Sequence, residues 1–124
     1  MIEIERSMDI EDAVRLALAE HMTVYCRPLP ASYSLPNILV SQVGGSDTNK
    51  IDTFQVTLDA RAETEAEALE YLRNAIGVLK KGSDNIRYVR VNSSGSWGYD
   101  PVRPDLAMCS ARLEIVAHLE TTTI

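Results

Sequence analysis

The two histidines, His21 and His118, are the side chains best suited to acid–base or metal chemistry near neutral pH. His21 lies near the end of the first predicted helix, and His118 lies on the outward side of the last predicted strand. Neither has a Cys, Asp or Glu at ligand spacing on its own element. We therefore predict surface histidines, no catalytic residue and no metal or cofactor site.

Two other groups that could do chemistry have simpler interpretations. Cys26 and Cys109 each lie inside a strand-like run and outside any CxxC motif, which favours buried free thiols over a disulfide or a metal site. The run Gly44-Gly45-Ser46 lacks the following Lys-Ser/Thr of a phosphate loop and does not open a helix. It predicts a flexible hairpin bend.

Composition and charge indicate one soluble domain spanning residues 1–124, with 45% apolar residues and a net charge of −6. That charge argues against binding nucleic acid through a broad basic face, although DNA could still slide past the protein. No apolar run approaches the roughly 18 residues of a membrane span, and the acidic start lacks a signal-peptide pattern. We expect folding in a reducing cytoplasm and no membrane partner.

The elements that must position any site follow from apolar periodicity and capping residues. Asp9 begins a helix that reaches Met22, and the Thr64-to-Glu67 capping box begins a second helix that ends near Gly82. Strands are predicted at residues 23–27, 37–43, 51–62, 86–93 and 106–121. The order α-β-β-β-α-β-β predicts an α+β fold, with a mostly antiparallel sheet and two helices packed on one face.

Alternation along the strands and helical spacing predict a shared core. Its members are Phe54, Val56, Leu58, Leu69, Leu72, Ile76, Leu113 and Ile115. The acidic run Glu63, Glu65, Glu67 and Glu70 predicts a solvated helix face, and the last residues, 121–124, are expected to fray.

Two Gly- and Pro-marked segments, residues 43–52 and 93–105, are predicted to be long polar loops that contact other proteins. Trp97 in the second segment is expected either to fold back on its own domain or to contact a partner, because Trp, Tyr and Arg dominate interface hot spots. The predicted protein-interface residues are Gly44, Gly45, Asn49, Asp52, Trp97, Tyr99, Asp100 and Arg103.

Several segments together carry a family resemblance. They are the Pro-rich loop followed by Pro36–Val40 and Gly44-Gly45, the runs Asn49–Asp52 and Phe54–Ala60, the helix 66–79, and the pairs Asp100-Pro101 and Arg103-Pro104 before the last strand. In these features the chain resembles the small tail-terminator and tail-completion proteins of long-tailed bacteriophages and prophages, which serve as head–tail joining components. The polar stretch 92–96 and Trp97 differ from typical members.

This resemblance implies a ring, commonly a hexamer, at the head-proximal end of the tail, where it stops tail-tube growth and joins the tail to the head. The implied partners are further copies of the chain, the tail-tube protein and the head connector. DNA passes through the lumen without sequence-specific binding. The resemblance implies no catalytic residues and places the protein in the bacterial cytoplasm during assembly and then in the virion tail.

Two other function classes remain open on the residues alone. A small ligand-binding or enzymatic α+β domain would be favoured by a pocket where Tyr99, Arg103 and His118 converge. A monomeric or dimeric adaptor that binds one host protein is the second alternative.

Overall fold

The computed structural model describes residues 1–48, 51–83 and 86–124. Asn49 and Lys50, within the first predicted loop, lie outside the described residues. The elements in chain order are β1 (Glu3–Arg6), α1 (Ile10–Ala19), β2 (Val24–Cys26), β3 (Asn37–Thr48), β4 (Ile51–Ala62), α2 (Glu65–Lys81), β5 (Ile86–Tyr99), β6 (Ala107–His118) and β7 (Glu120–Thr123).

Side-chain caps fix where both helices begin, as predicted. The Asp9 carboxylate accepts a hydrogen bond from the backbone N–H of Asp12, and the Thr64 hydroxyl accepts one from the N–H of Glu67. Helix α2 ends at Gly82, whose φ of +88° suits a glycine and whose N–H donates to the Leu79 carbonyl. Neither described helix has the length and apolar character needed to cross a bilayer.

The central sheet has five strands in the order β2-β3-β4-β6-β5. The pairs β3–β4, β4–β6 and β6–β5 are antiparallel. The short β2 runs parallel to β3, to which the Pro-rich connection joins it. The predicted fold class is therefore confirmed: the fold is α+β with a mostly antiparallel sheet and both helices on one face. The Tyr71 hydroxyl, which accepts a hydrogen bond from the Thr23 N–H, ties α2 to the segment before β2.

The core lies between the helices and the even-numbered side of β4. It contains Phe54, Val56 and Leu58, together with Leu113 and Ile115 of β6, as predicted. Helix α1 contributes Ile10, Val14 and Leu18, and α2 contributes Ala68, Leu72, Ala75 and Leu79. Ile76 is half-buried against this cluster.

Leu69 is a correction to the predicted core, because it is 37% exposed. Ala68 takes the buried position in that turn of α2. A helix turns about 100° per residue, so Leu69 points well away from the direction in which Ala68 faces the sheet. The small alanine lets α2 lie close to the strands.

The two predicted loops are mostly strand, which is the main correction to the sequence interpretation. Gly44–Thr48 continues β3 and pairs with Ile51–Gln55 of β4, after a register shift between Gln42 and Gly44. Similarly, Ser93 and residues 96–99 of β5 pair with β6. Only residues 100–106 remain as a connection between β5 and β6. Both segments are hairpin arms of the sheet.

A two-stranded ribbon formed by the chain ends was also missed. Strand β1 pairs antiparallel with β7, and Ile2 and Ile124 exchange two backbone hydrogen bonds of 2.8 Å. The predicted single strand 106–121 is interrupted at Leu119, so residues 120–123 turn to meet β1 and do not fray. The observed order is β-α-β-β-β-α-β-β-β.

Candidate interaction surface

Trp97 and Tyr99 extend the helix-side face of the sheet beyond the start of α2. Trp97 pairs with Cys109 and Tyr99 pairs with Ala107, so both side chains lie on the face that elsewhere carries the core. No helix covers them there: Trp97 is 48% exposed and Tyr99 is 72% exposed. Of the two alternatives for Trp97, packing on its own domain accounts for about half of its surface, and the other half stays open.

A shallow cleft of about 240 Å³ lies beside these aromatic rings. Glu63 and Glu65, which flank the start of α2, and Asp105 contribute carboxylates to its lining, and Leu106 contributes an apolar side chain. The surface thus combines exposed aromatic area with an acidic rim. A complementary partner would present an apolar side chain beside basic groups.

Asp100 has an intramolecular role that holds this surface in place. Its side chain is 4% exposed, and its Oδ2 accepts a 2.7 Å hydrogen bond from Nε of Arg61, which is 8% exposed. Its Oδ1 accepts hydrogen bonds from the backbone N–H groups of Val102 and Arg103. The carboxylate therefore fastens the 100–106 connection to β4, and this predicted interface residue is buried in the single chain.

The charge state of Asp100 follows from these contacts. Burial by itself raises the pKa of the carboxyl, but the hydrogen bonds from Arg61 and from the N–H groups of Arg103 and Val102 outweigh that effect. The pKa of Asp100 consequently lies below its ordinary value, and the ion pair is intact at neutral pH.

The buried cluster extends to β3, because Asn37 is the direct antiparallel partner of Arg61. The Asn37 amide donates a 2.9 Å hydrogen bond to the Ser34 carbonyl of the Pro-rich connection. Asn37 and Arg61 together with Asp100 thus bind two connections to the polar side of the sheet. Sequence reasoning missed Asn37 and Arg61, since their burial depends on connections that fold over them.

Arg103 and Val102 are two of the exposed side chains of the 100–106 connection. The Arg103 guanidinium donates a 3.0 Å hydrogen bond to the Asp105 carboxylate, and both side chains remain largely open. Val102 is 86% exposed, which leaves an aliphatic side chain in water beside the arginine. The sequence did not single out Val102, because it lies in a segment with Pro101 and Pro104 that predicts a loop.

The β3–β4 arm carries the remaining predicted interface residues except Asn49, which is outside the described residues. Gly44 and Gly45 are exposed on β3. A Cβ on Gly45 would lie 2.7 Å from the Thr53 carbonyl oxygen, so glycine is required there for the close approach of the two strands. Asp52, in contrast, is buried, with only 2% of its surface exposed.

Tyr99, Arg103 and His118 do not converge on one pocket. Tyr99 pairs with Ala107 at the start of β6, while His118 is the last residue of that strand. Eleven residues of extended strand place them about 35 Å apart. The pocket that would have favoured the enzymatic alternative is therefore not formed by these residues.

The histidines and cysteines occupy ordinary positions. His21 and His118 are both exposed, and the described residues contain no group of three or more His, Cys, Asp or Glu side chains placed to hold a metal. Cys109 is buried and Cys26 is half-buried, and both are free thiols. Burial raises the pKa of each thiol, so neither is a thiolate at neutral pH.

Comparison with models of known protein families finds none that matches the chain, and comparison with curated proteins finds no match either.

Proposed function

We propose that the chain is a structural subunit of a long-tailed bacteriophage or prophage, a tail terminator or tail-completion protein. In this proposal, copies of the chain form a ring, a hexamer in the assembled tail, that stops tail-tube growth and joins the tail to the head. It has no catalytic role. The resemblance of the sequence to such proteins supplies the biological context, and the exposed aromatic surface supplies the physical support.

The observation that carries the proposal is that Trp97 and Tyr99 are exposed on paired strand residues at the end of the sheet. Aromatic side chains gain much free energy from burial, and a structural subunit buries them only on assembly. The buried Arg61–Asp100 pair holds the adjoining connection, so the ordering cost of binding is small there.

A head-to-tail ring joins two different patches of each subunit, so one aromatic patch per chain suits it. The partner patch on the next subunit, on the tail-tube protein or on the head connector is expected to be apolar with basic neighbours. In this proposal DNA passes through the lumen without sequence-specific binding, consistent with the net charge of −6. The protein then acts in the bacterial cytoplasm during assembly and stays in the virion tail.

The test is complementation of the encoding phage or prophage with the double variant Trp97→Ala/Arg103→Ala. We expect a melting temperature near that of the wild type, because both side chains are substantially exposed, and a loss of joined, tail-bearing particles in electron micrographs. The matched control is Tyr88→Ala/Arg90→Ala, which removes an exposed tyrosine and an exposed arginine from the other end of β5. This control should yield normal particles.

Normal assembly by the Trp97→Ala/Arg103→Ala variant would show that these side chains are not contacts. Unfolding of the variant would show instead that the segment belongs to the fold. A labelled copy of the chain seen anywhere other than the head-proximal end of the tail would refute the assignment itself.

A further inference from the structure

Asp52 is a buried carboxylate without a partner among the described residues. It is 2% exposed, and neither of its carboxylate oxygens accepts a hydrogen bond in the described part of the chain. Buried carboxylates are normally paired with a cation or hydrogen-bonded, because removing an unpaired charge from water is costly. The position therefore indicates a group that the described residues do not supply.

Asp52 is one of the residues that line a cleft of about 290 Å³ between the β3–β4 arm and the segment before α1, and its carboxylate is buried beside that cleft. The cleft is formed by Ser7, Met8, Gln42, Gly45, Asp52, Thr53 and Phe54. Its volume falls just below the range for drug-sized ligands and is ample for the end of one long side chain. Ser7 and Gln42 add a hydroxyl and an amide to the lining, while Met8 and Phe54 add apolar surface.

The Arg27 guanidinium, which is hydrogen-bonded to the cleft residue Gln42, also pairs with Glu11. Arg27 donates a 2.6 Å hydrogen bond to the Glu11 carboxylate and another to the Gln42 carbonyl. A divalent metal is a poor candidate, because it prefers six or more oxygen ligands and the described residues provide no cluster of three acidic or imidazole groups.

We propose that the Asp52 cleft binds the ammonium or guanidinium group of a lysine or arginine side chain from a partner protein. The carboxylate supplies a charge-assisted hydrogen bond, bidentate for arginine. The Met8 and Phe54 side chains accommodate the aliphatic stem of the bound residue. The site does not depend on the proposed ring, since any basic partner segment that reaches the β3–β4 arm could fill it.

Binding is tested on the full chain with ethylguanidinium as the probe and NMR of the Gln42 and Thr53 amides as the readout. We expect saturable shifts for the wild type and at least a tenfold loss of affinity for Asp52→Asn. N-Ethylurea, a neutral probe of similar shape, should cause no saturable shift. The matched control is Asp59→Asn, on the opposite face of β4, where the carboxylate accepts a 2.6 Å hydrogen bond from Ser110. This control should bind ethylguanidinium like the wild type.

Stability gives an independent readout. Without the probe, Asp52→Asn should melt several degrees above the wild type, because it removes an unpaired buried charge. A lower melting temperature would mean that Asp52 already has an internal partner, which overturns the proposal. Lys50, which lies outside the described residues, is the alternative cation within this chain. Binding of ethylguanidinium by Lys50→Met but not by the wild type would show that Lys50 occupies the site, which would also overturn the proposal.

The source of the cation is tested with two further probes. Acetyl-Gly-Arg-Gly-amide should bind more tightly than free arginine, whose own carboxylate is repelled by Asp52. Equal or tighter binding of free arginine would contradict a protein partner.

Discussion

At the scale of single residues, the buried charged groups of the described residues differ in whether they are paired. Arg61 and Asp100 neutralise each other on the polar side of the sheet. Asp52 lies on the core side without a partner among the described residues. The ion pair stabilises the fold of the single chain, whereas Asp52 is the group that we propose binds a cation.

The buried pair gives a pH-dependent prediction. Asp100→Asn should destabilise the protein by about 3–5 kcal/mol at pH 7, because Arg61 loses its counter-charge while still buried. The asparagine oxygen still accepts hydrogen bonds, which favours the lower end of that range. Chemical denaturation followed by circular dichroism measures the difference.

The sign of the pH dependence follows from the lowered pKa of Asp100. The ion pair stabilises the wild type fully above the unfolded-state pKa near 4, and this contribution is lost as the pH falls through the folded-state pKa. The difference in the free energy of unfolding between the wild type and Asp100→Asn should therefore become smaller below about pH 4. Glu11, whose pKa is also lowered, affects both proteins equally. A gap that stays constant with pH would exclude the ion pair as the cause.

At the scale of elements, helix caps and strand alternation predicted the helices and the central strand, because each of these signals lies within one short segment. The caps at Asp9 and Thr64 lie within three residues of the groups they bind, and the alternation in β4 spans twelve residues. Such signals need no knowledge of the rest of the chain. The fold class and most of the core were therefore predictable.

The strand extensions were not predictable from local signals. Residues 92–98 are rich in Ser and Gly, which have low strand propensity, yet much of this segment pairs with the strongly alternating β6. Gly95, with a φ of +78°, and the register shifts between Val91 and Ser93 and between Ser93 and Ser96 fit this irregular stretch to its partner. The partner strand overrode the local preference.

Asp52 was chosen as an interface residue for its place in a supposed loop, although a better signal was present. It is in phase with Phe54 and Val56, so alternation alone places it on the core side of β4. Alternation does not say whether a carboxylate can occupy such a buried position. The structure shows that Asp52 does so, beside a cleft.

The core prediction can be tested with matched leucines. Leu58→Ala and Leu113→Ala should each cost about 2–5 kcal/mol, because both side chains are fully buried and leave cavities. Leu69→Ala, on the open side of α2, should change stability by less than about 0.5 kcal/mol. Urea denaturation of the three variants tests this order, and a cost for Leu69 equal to that for Leu58 would contradict the assigned helix face.

At the scale of the whole molecule, the protein is a well-packed sheet and helix layer with three parts that extend from it. These parts are the β3–β4 arm, the end of the β5–β6 arm, and the β1–β7 ribbon. Two of them carry groups that the described residues leave unpaired or exposed, namely Asp52 and the aromatic rings of Trp97 and Tyr99. The molecule thus separates the part that makes it fold from the parts that we propose contact partners.

The β1–β7 ribbon is expected to open independently of the rest of the protein. Two-stranded sheets are marginal by themselves, and most side chains of these strands are exposed or half-buried. The Arg6–Glu120 ion pair across the ribbon, at 2.7 Å, is solvent-exposed and adds little to its stability.

The amides of Ile4 and Thr122 should therefore exchange with deuterium through local opening, at least a hundredfold faster than the central amides of β4 and β6. Arg6→Ala should speed exchange in the ribbon while leaving the melting temperature unchanged. Equal protection of ribbon and central sheet in native-state hydrogen exchange would show that the chain ends belong to the cooperative fold, in which case the arms alone would be available for rearrangement on assembly.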